Sequence, residues 1–76
     1  MKSRKMKYVR WGSYIIFFSD AIVHSVFQHL PPISAGFCYI DCENKKVKCY
    51  GESISLGIGS LEEDSDIATL QMFGNG

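Results

Sequence analysis

Residues 35–50 read AGFCYIDCENKKVKCY, two apolar segments separated by a polar turn. A turn at Asn44-Lys45 pairs Asp41 with Lys48, which brings opposite charges together across a β-hairpin between residues 36–42 and 47–53. This register places five residues on one face: Cys38, Ile40, Cys42, Val47 and Cys49. We expect all three cysteines to be largely buried there, because free cysteine is among the most buried residue types.

The segment before this hairpin is interpreted as a strand followed by a helix. Residues 6–18 are rich in β-branched and aromatic side chains, which favours a strand with a bulge or strand start at Gly12-Ser13. The capping pair Ser19-Asp20 and the stop at Pro31-Pro32 predict a helix over 20–30. Four apolar residues are expected to face the sheet while His24 stays exposed: Ile22, Val26, Phe27 and Leu30.

The C-terminal segment predicts a second, short helix. Residues 60–63 read SLEE, a capping-box pattern, and Gly74 is a natural helix end. The apolar face of this helix is expected to consist of Ile67, Leu70 and Phe73. The predicted fold is therefore a single α+β domain, 1–76, in β-α-β-β-α order. It has a three-stranded, mainly antiparallel sheet with the helices on one face, a loose basic arm at 1–5 and a frayed end at 74–76.

Composition limits the possible classes of protein. The chain has 76 residues, no formal net charge, 46% apolar residues and 13% aromatic residues. A chain this short buries only about 60% of the surface that it exposes when unfolded, so a stabilising partner subunit is expected. The apolar run at 14–18 is far shorter than the roughly 18 residues of a membrane span. An odd number of cysteines without an export signal predicts free thiols and a cytoplasmic protein.

No residue pattern typical of catalysis or metal binding is present in the sequence. Cys38 and Cys42 are about 13 Å apart along a strand, too far to share one zinc ion. His24 and His29 are five residues apart, which places them on different sides of a helix. The glycine-flanked segment before residues 60–63 is followed by acidic residues that repel a phosphate. We therefore expect no catalytic residue, no cofactor and no metal ligand.

Protein contacts are the leading functional hypothesis. Basic residues are concentrated before residue 11 and acidic residues after residue 51, which favours contact between the two ends of one chain or of two chains. The predicted helices also leave one face of the sheet without cover. We expect a non-enzymatic protein that acts as a homodimer or with another protein partner. The candidate interface residues are Trp11, Tyr14, Tyr39 and Tyr50.

Two alternatives come from other functional classes. The basic N-terminal strand can hold nucleic acid by phosphate contacts and base stacking, with candidate contacts at Lys5, Lys7, Tyr8, Arg10 and Trp11. The neutral net charge disfavours this alternative, because it weakens the attraction of the whole protein for a polyanion. The second alternative is a small enzyme or ligand-binding protein with a pocket near His24 and Ser34.

Overall fold

The structure is a computed structural model and describes residues 3–24, 29 and 31–74, which form six strands and one helix. Their bounds are β1 Ser3–Trp11, β2 Tyr14–Phe18, β3 Ser34–Asp41, β4 Lys46–Tyr50, β5 Glu52–Ser53, β6 Ile58–Gly59 and α1 Asp64–Phe73. An antiparallel sheet has the strand order β2-β1-β3-β4, and β5 pairs with β6 in a second, small sheet. The α+β class is confirmed, whereas the predicted β-α-β-β-α order and the three-stranded sheet are wrong.

The segment that we predicted as one strand is a β-hairpin. β1 and β2 are joined by Gly12 and Ser13, so that Trp11 lies opposite Tyr14. Gly12 has a φ of 58°, and a two-residue hairpin turn of the II′ type favours glycine at its first position. The expected bulge is therefore a chain reversal that adds a strand to the sheet. β1 already begins at Ser3, so the last part of the expected loose arm belongs to the sheet.

The β3–β4 hairpin forms as predicted, but in a different register. Asp41 pairs with Lys46 instead of Lys48, which leaves a four-residue loop between the strands. The Asp41 carboxylate stabilises this loop because its Oδ1 accepts hydrogen bonds from the backbone N–H groups of Glu43 and Asn44, at 3.1 and 3.2 Å. Such a side-chain turn favours the longer loop over the expected two-residue turn.

The shifted register changes the environment of one cysteine. A shift of two residues keeps every side chain on its predicted face, so Cys38 and Cys49 still share a face and now lie directly opposite each other. Tyr39 and Tyr50 lie on the other face, as predicted. Cys42 falls in the loop and is exposed, so the prediction that all three cysteines are buried is wrong.

The first predicted helix does not begin where its sequence signals place it. Residues 20–22 form a turn and a bend, and the Ser19 hydroxyl accepts a hydrogen bond from the Ala21 N–H. This local bond satisfies the backbone without a helix. Ile22 is exposed and His24 is buried, the reverse of our expectation. The remaining predicted contacts of this helix, Val26, Phe27 and Leu30, lie outside the described residues.

The second predicted helix is present as α1, and Gly74 ends it as expected. The φ of Gly74 is 74°, and its N–H donates to the Leu70 carbonyl. The predicted capping box is wrong, because the Glu63 side chain makes no capping hydrogen bond and the Asp64 carboxylate accepts the Leu61 N–H instead. Two of the three predicted contact residues, Ile67 and Phe73, pack against the core, but Leu70 is exposed.

Side chains of α1 cover backbone groups on both edges of the main sheet. On β4, the Thr69 hydroxyl accepts a hydrogen bond from the Val47 N–H at 2.9 Å and donates one to the Val47 carbonyl at 3.1 Å. On the same strand, the Ser65 hydroxyl accepts a hydrogen bond from the Cys49 N–H. On β2, the Gln71 amide bonds both the N–H and the carbonyl of Ile15. Covered edges resist the addition of another strand.

Apolar residues are buried on both sides of the main sheet. The core between the sheet and α1 contains Tyr8, Ile15, Cys38, Ile40, Val47 and Ala68. On the opposite side, a smaller cluster of Val9, Phe18 and Ala35 is packed against Leu56 and Ile58. Both faces of β2 are therefore covered within the chain. No helix among the described residues is long and apolar enough to cross a membrane.

Candidate functional site

Lysine and aromatic side chains lie next to one another on the side of the sheet that faces away from α1. Two adjacent rows cross β1, β3 and β4, the first formed by Lys7, Phe37 and Tyr50 and the second by Lys5, Tyr39 and Lys48. We call these six residues the lysine-aromatic face. Strand pairing creates it, because directly opposed residues of neighbouring strands point to the same side. The β5–β6 region covers the neighbouring Val9 row but leaves these two rows accessible.

The rings and ammonium groups of this face are in contact with one another. The rings of Phe37 and Tyr50 are stacked, with centroids 6.0 Å apart and planes 26° apart. The Nζ atoms of Lys5 and Lys7 lie 5.2 and 5.9 Å from the Phe37 centroid, within the range of a cation–π contact. Tyr39 and Tyr50 are 47% and 39% exposed. The face therefore presents ordered cations beside accessible aromatic rings.

His24 closes one end of the lysine-aromatic face. Its ring packs edge-on against Phe18 and Phe37, with centroid distances of 5.5 and 5.9 Å, and its Nε2 lies 2.9 Å from the Gly36 carbonyl. Burial, together with the charge of Lys7, lowers the pKa of His24 below its usual value, although the bond to Gly36 opposes this. The imidazole is therefore neutral at pH 7, with Nε2–H as the donor.

The predicted pocket near His24 and Ser34 is not formed by both residues. His24 borders a shallow cleft of about 370 Å³ that also includes Phe37 and Glu52. Ser34 lies opposite Arg10 on β1, on the side of the sheet that α1 covers, and it is fully buried. The two residues are thus separated by the sheet, and the cleft beside His24 does not include Ser34.

A buried ionic cluster holds α1 against β1. Asp64 is fully buried and accepts hydrogen bonds from the Tyr8 hydroxyl, from Arg10 Nη1 at 2.8 Å and from the Leu61 N–H at 2.9 Å. Arg10 Nη1 also lies 3.1 Å from a Glu63 carboxylate oxygen. This cluster joins the basic N-terminal segment to the acidic later segment within one chain.

The cluster shifts the protonation equilibria of its members. Burial favours the neutral acid of Asp64, but the hydrogen bonds that it accepts outweigh burial and hold its pKa below the usual value. Burial and the neighbouring Asp64 carboxylate raise the pKa of Tyr8. Tyr8 and Arg10, two of the candidate nucleic-acid contacts, are therefore held between the sheet and α1 and do not reach the lysine-aromatic face.

The four candidate interface residues fall into two groups. Tyr39 and Tyr50 belong to the lysine-aromatic face, whereas Trp11 and Tyr14 lie at the β1–β2 turn. Trp11 is partly buried against the smaller apolar cluster, and Tyr14 is 62% exposed. Sequence reasoning missed Phe37 and Lys48 as members of the face, although each alternates with a tyrosine along its own strand.

The described part of the chain contains no group of three metal-binding side chains. Its cysteines are free thiols, with Cys38 buried and Cys49 partly buried. Comparison with known proteins also gives no functional assignment, because no family model, no curated protein and no solved structure matches this chain significantly.

Proposed function

We propose that this protein binds single-stranded nucleic acid on the lysine-aromatic face. The observation that carries the proposal is the juxtaposition of three lysines and three aromatic rings in two adjacent rows across three strands. Aromatic side chains on which bases stack, combined with cations that follow the sugar-phosphate backbone, are typical of proteins that bind single strands with little sequence preference. Of the candidate contacts named from the sequence, the proposal retains Lys5 and Lys7.

The tyrosines supply the stacking surfaces. Tyr39 and Tyr50 lie on neighbouring strands in adjacent rows, a diagonal relation that separates residues by about 7–8 Å. This separation suits two bases of one strand that are stacked on different rings. Phe37 supports the Tyr50 ring from the side and limits its rotation. Each base–aromatic contact contributes about 1–3 kcal/mol to binding.

The lysines supply the phosphate contacts. Lys5 and Lys7 are two residues apart on β1 and Lys48 lies across β3, so Lys5 and Lys48 flank Tyr39 on both sides, and Lys48 precedes Tyr50 by two residues on β4. Each lysine that pairs with a phosphate releases a counterion, which makes binding dependent on salt. A double helix suits this face less well, because its bases are already stacked and paired and no element of the face projects into a groove.

A second copy of the chain fits the same face less well. If two copies met through their lysine-aromatic faces, the lysines of both copies would be brought together, and like charges repel. If the face met the acidic α1 side of another copy, the two contact surfaces would lie on opposite sides of each sheet. Such a head-to-tail contact builds rings or open chains of molecules instead of a closed twofold dimer. The homodimer stays a prediction that the following experiment also tests.

The binding test uses fluorescence anisotropy with labelled 12-nucleotide single strands of mixed sequence, as DNA and as RNA, and with the matching duplex. We expect Tyr39→Ala and Tyr50→Ala each to weaken single-strand binding by about 5- to 150-fold, the equivalent of one lost stacking contact. Tyr14→Ala is the matched control, because this tyrosine is exposed outside the face, and it is expected to keep wild-type affinity.

The salt dependence tests the lysines separately. Lys48→Ala is expected to reduce the slope of log affinity against log salt by about 0.7, whereas Lys45→Ala, an exposed residue in the hairpin loop, leaves the slope unchanged. The absence of single-strand binding at low salt would refute the proposal, as would equal losses in Tyr14→Ala and Tyr39→Ala. A dimer in sedimentation equilibrium that Tyr39→Ala or Tyr50→Ala dissociates would assign the face to a second copy instead.

A further inference from the structure

Two thiols face each other across the β3–β4 hairpin, and nothing in the proposed binding function uses them. Cys38 and Cys49 are direct partners in the register, and both side chains belong to the core between the sheet and α1. The Cys49 N–H points away from β3, because it donates to the Ser65 hydroxyl at 2.8 Å. The two cysteines therefore form a non-hydrogen-bonded pair, the type in which opposed side chains approach most closely.

We infer that Cys38 and Cys49 are a redox site that forms an intramolecular disulfide when the folded protein meets a peroxide. In a non-hydrogen-bonded antiparallel pair the Cα atoms are about 4.5 Å apart, within the range of about 4.4–6.8 Å that disulfides require. Cys42 lies in the exposed loop after β3, about 13 Å along the chain from Cys38. It therefore does not compete with Cys49 for Cys38 in the folded state.

The reaction is a two-electron oxidation of the thiols by hydrogen peroxide. Cys49 is the more accessible of the two, so its thiolate attacks one peroxide oxygen; the S–O bond forms, the O–O bond breaks, and hydroxide leaves as water after protonation. The Cys38 sulfur then attacks the sulfenic sulfur; the S–S bond forms, the S–O bond breaks, and a second water leaves with the Cys38 proton. Two thiols and one peroxide thus give one disulfide and two waters.

Burial makes this site resistant to oxidation at neutral pH. It raises the pKa of Cys38 to about 11, and burial together with the neighbouring Cys38 thiol and Asp64 raises the pKa of Cys49 to about 12. Because the thiolate is the reactive form, the rate is expected to rise about tenfold for each pH unit between 7 and 9. The oxidised hairpin is a closed loop, which lowers the unfolding equilibrium constant by about 100-fold in the chain-entropy description.

The test uses the Cys42→Ser variant, in which only the two opposed cysteines remain. The folded variant is treated with hydrogen peroxide at pH 8, and its intact mass and tryptic peptides are measured. We expect a loss of about 2 Da, corresponding to two hydrogens, and a disulfide that joins the peptide ending at Lys45 to the peptide beginning at Cys49. Dithiothreitol is expected to restore the original mass and the lower urea midpoint.

The wild-type chain provides the matched comparison. When folded, it is expected to form the same Cys38–Cys49 disulfide; when unfolded in urea before oxidation, it is expected to give a mixture that includes disulfides of Cys42. A folded wild-type chain that forms disulfides mainly through Cys42 would overturn the inference. Conversion of the folded Cys42→Ser variant to sulfinic or sulfonic acids without a disulfide would overturn it as well. Neither outcome bears on nucleic-acid binding, so the two proposals fail independently.

Discussion

Replacement of Asp64 by alanine is expected to destabilise this protein more than a typical single substitution. The carboxylate is fully buried and accepts hydrogen bonds from the Tyr8 hydroxyl, the Arg10 guanidinium and the Leu61 N–H. Within the described part of the chain, Asp64→Ala leaves the Arg10 charge with only the exposed Glu63 carboxylate as an ionic partner. It also leaves the Tyr8 hydroxyl without the acceptor that it has in the native structure.

The size of the expected loss of stability follows from the burial of the Asp64–Arg10 ion pair. Removing one partner of a buried ion pair costs about 3–5 kcal/mol, because the other charge stays in a poorly solvated environment. At about 0.05–0.15 kcal/mol per residue, the free energy of unfolding of a 76-residue chain is about 4–11 kcal/mol. We therefore expect Asp64→Ala to remove between about a quarter and all of the stability of the native state.

The assay is urea unfolding followed by the fluorescence of Trp11, the only tryptophan in the chain. Asp66→Ala is the matched control, because this residue is in the same first turn of α1 but is exposed and is expected to change stability by less than about 0.5 kcal/mol. If Asp64→Ala and Asp66→Ala unfolded at the same urea concentration, the cluster would not stabilise the fold as argued.

The same cluster determines how stability depends on acid. The pKa of Asp64 is lower in the folded state than in the unfolded state, where it is about 3.9. Its contribution to stability is therefore complete above about pH 4 and is lost as the pH falls through the folded-state pKa. Asp64→Asn removes this titration, so its free energy of unfolding should fall less steeply below pH 4 than that of the wild type.

Three further predictions concern other parts of the chain. The folded-state pKa of His24 lies below the unfolded value of about 6.5, so urea midpoints should fall as the pH drops from 7.5 to 5.5. His24→Gln should flatten this dependence. Lys45→Gly should raise the free energy of unfolding by about 1 kcal/mol in the same assay, because Lys45 has a φ of 56°. Thr69→Val should speed hydrogen exchange of the Val47 amide by up to about tenfold, measured by NMR.

The hairpin at residues 35–50 was predictable because alternating side chains define the two faces of a strand pair. The fold class and the faces of the β3 and β4 residues follow from this pattern and are confirmed. The exact partners were missed, because both possible registers pair Asp41 with a lysine, and the local hydrogen bonds of the Asp41 carboxylate favour the longer loop. Charge pairing alone does not distinguish lysines that lie two residues apart on the same face.

The errors before residue 35 have a different physical origin. Gly12-Ser13 has the composition of a two-residue turn, but the β-branched residues on both sides suggested continuity of the strand. Treating 6–18 as one strand left a sheet with too few strands and one apolar face without cover. In the structure the chain provides that cover through Leu56 and Ile58, so the composition of β2 is no longer an argument for a partner subunit.

The candidate site could be predicted only in part, because it depends on which strands are neighbours. Lys5 and Tyr39 lie side by side only because β1 pairs with β3, a non-local contact that the sequence does not specify. The position of Arg10 depends on Asp64, which is 54 residues away along the chain. Alternation along a strand predicts which residues share a face, but it does not predict which of the two faces a helix will cover.

The distribution of charge in the fold answers the objection that net neutrality disfavours nucleic acid. The acidic residues 62–66 belong to the α1 side, where Arg10 pairs with two of them, whereas Lys5, Lys7 and Lys48 lie on the other side of the sheet. The shortest dimension of the molecule is 17 Å, about twice the screening length of roughly 8 Å at physiological ionic strength. The acidic residues behind the sheet are therefore screened from a polyanion on the lysine-aromatic face, which the three lysines contact directly. The carboxylates on the lysine side are Asp41, in the next row, and Glu52, in the cleft beside Phe37. Affinity measured against salt, and not the formal net charge of the chain, is the quantity that decides between the nucleic-acid and protein-contact hypotheses.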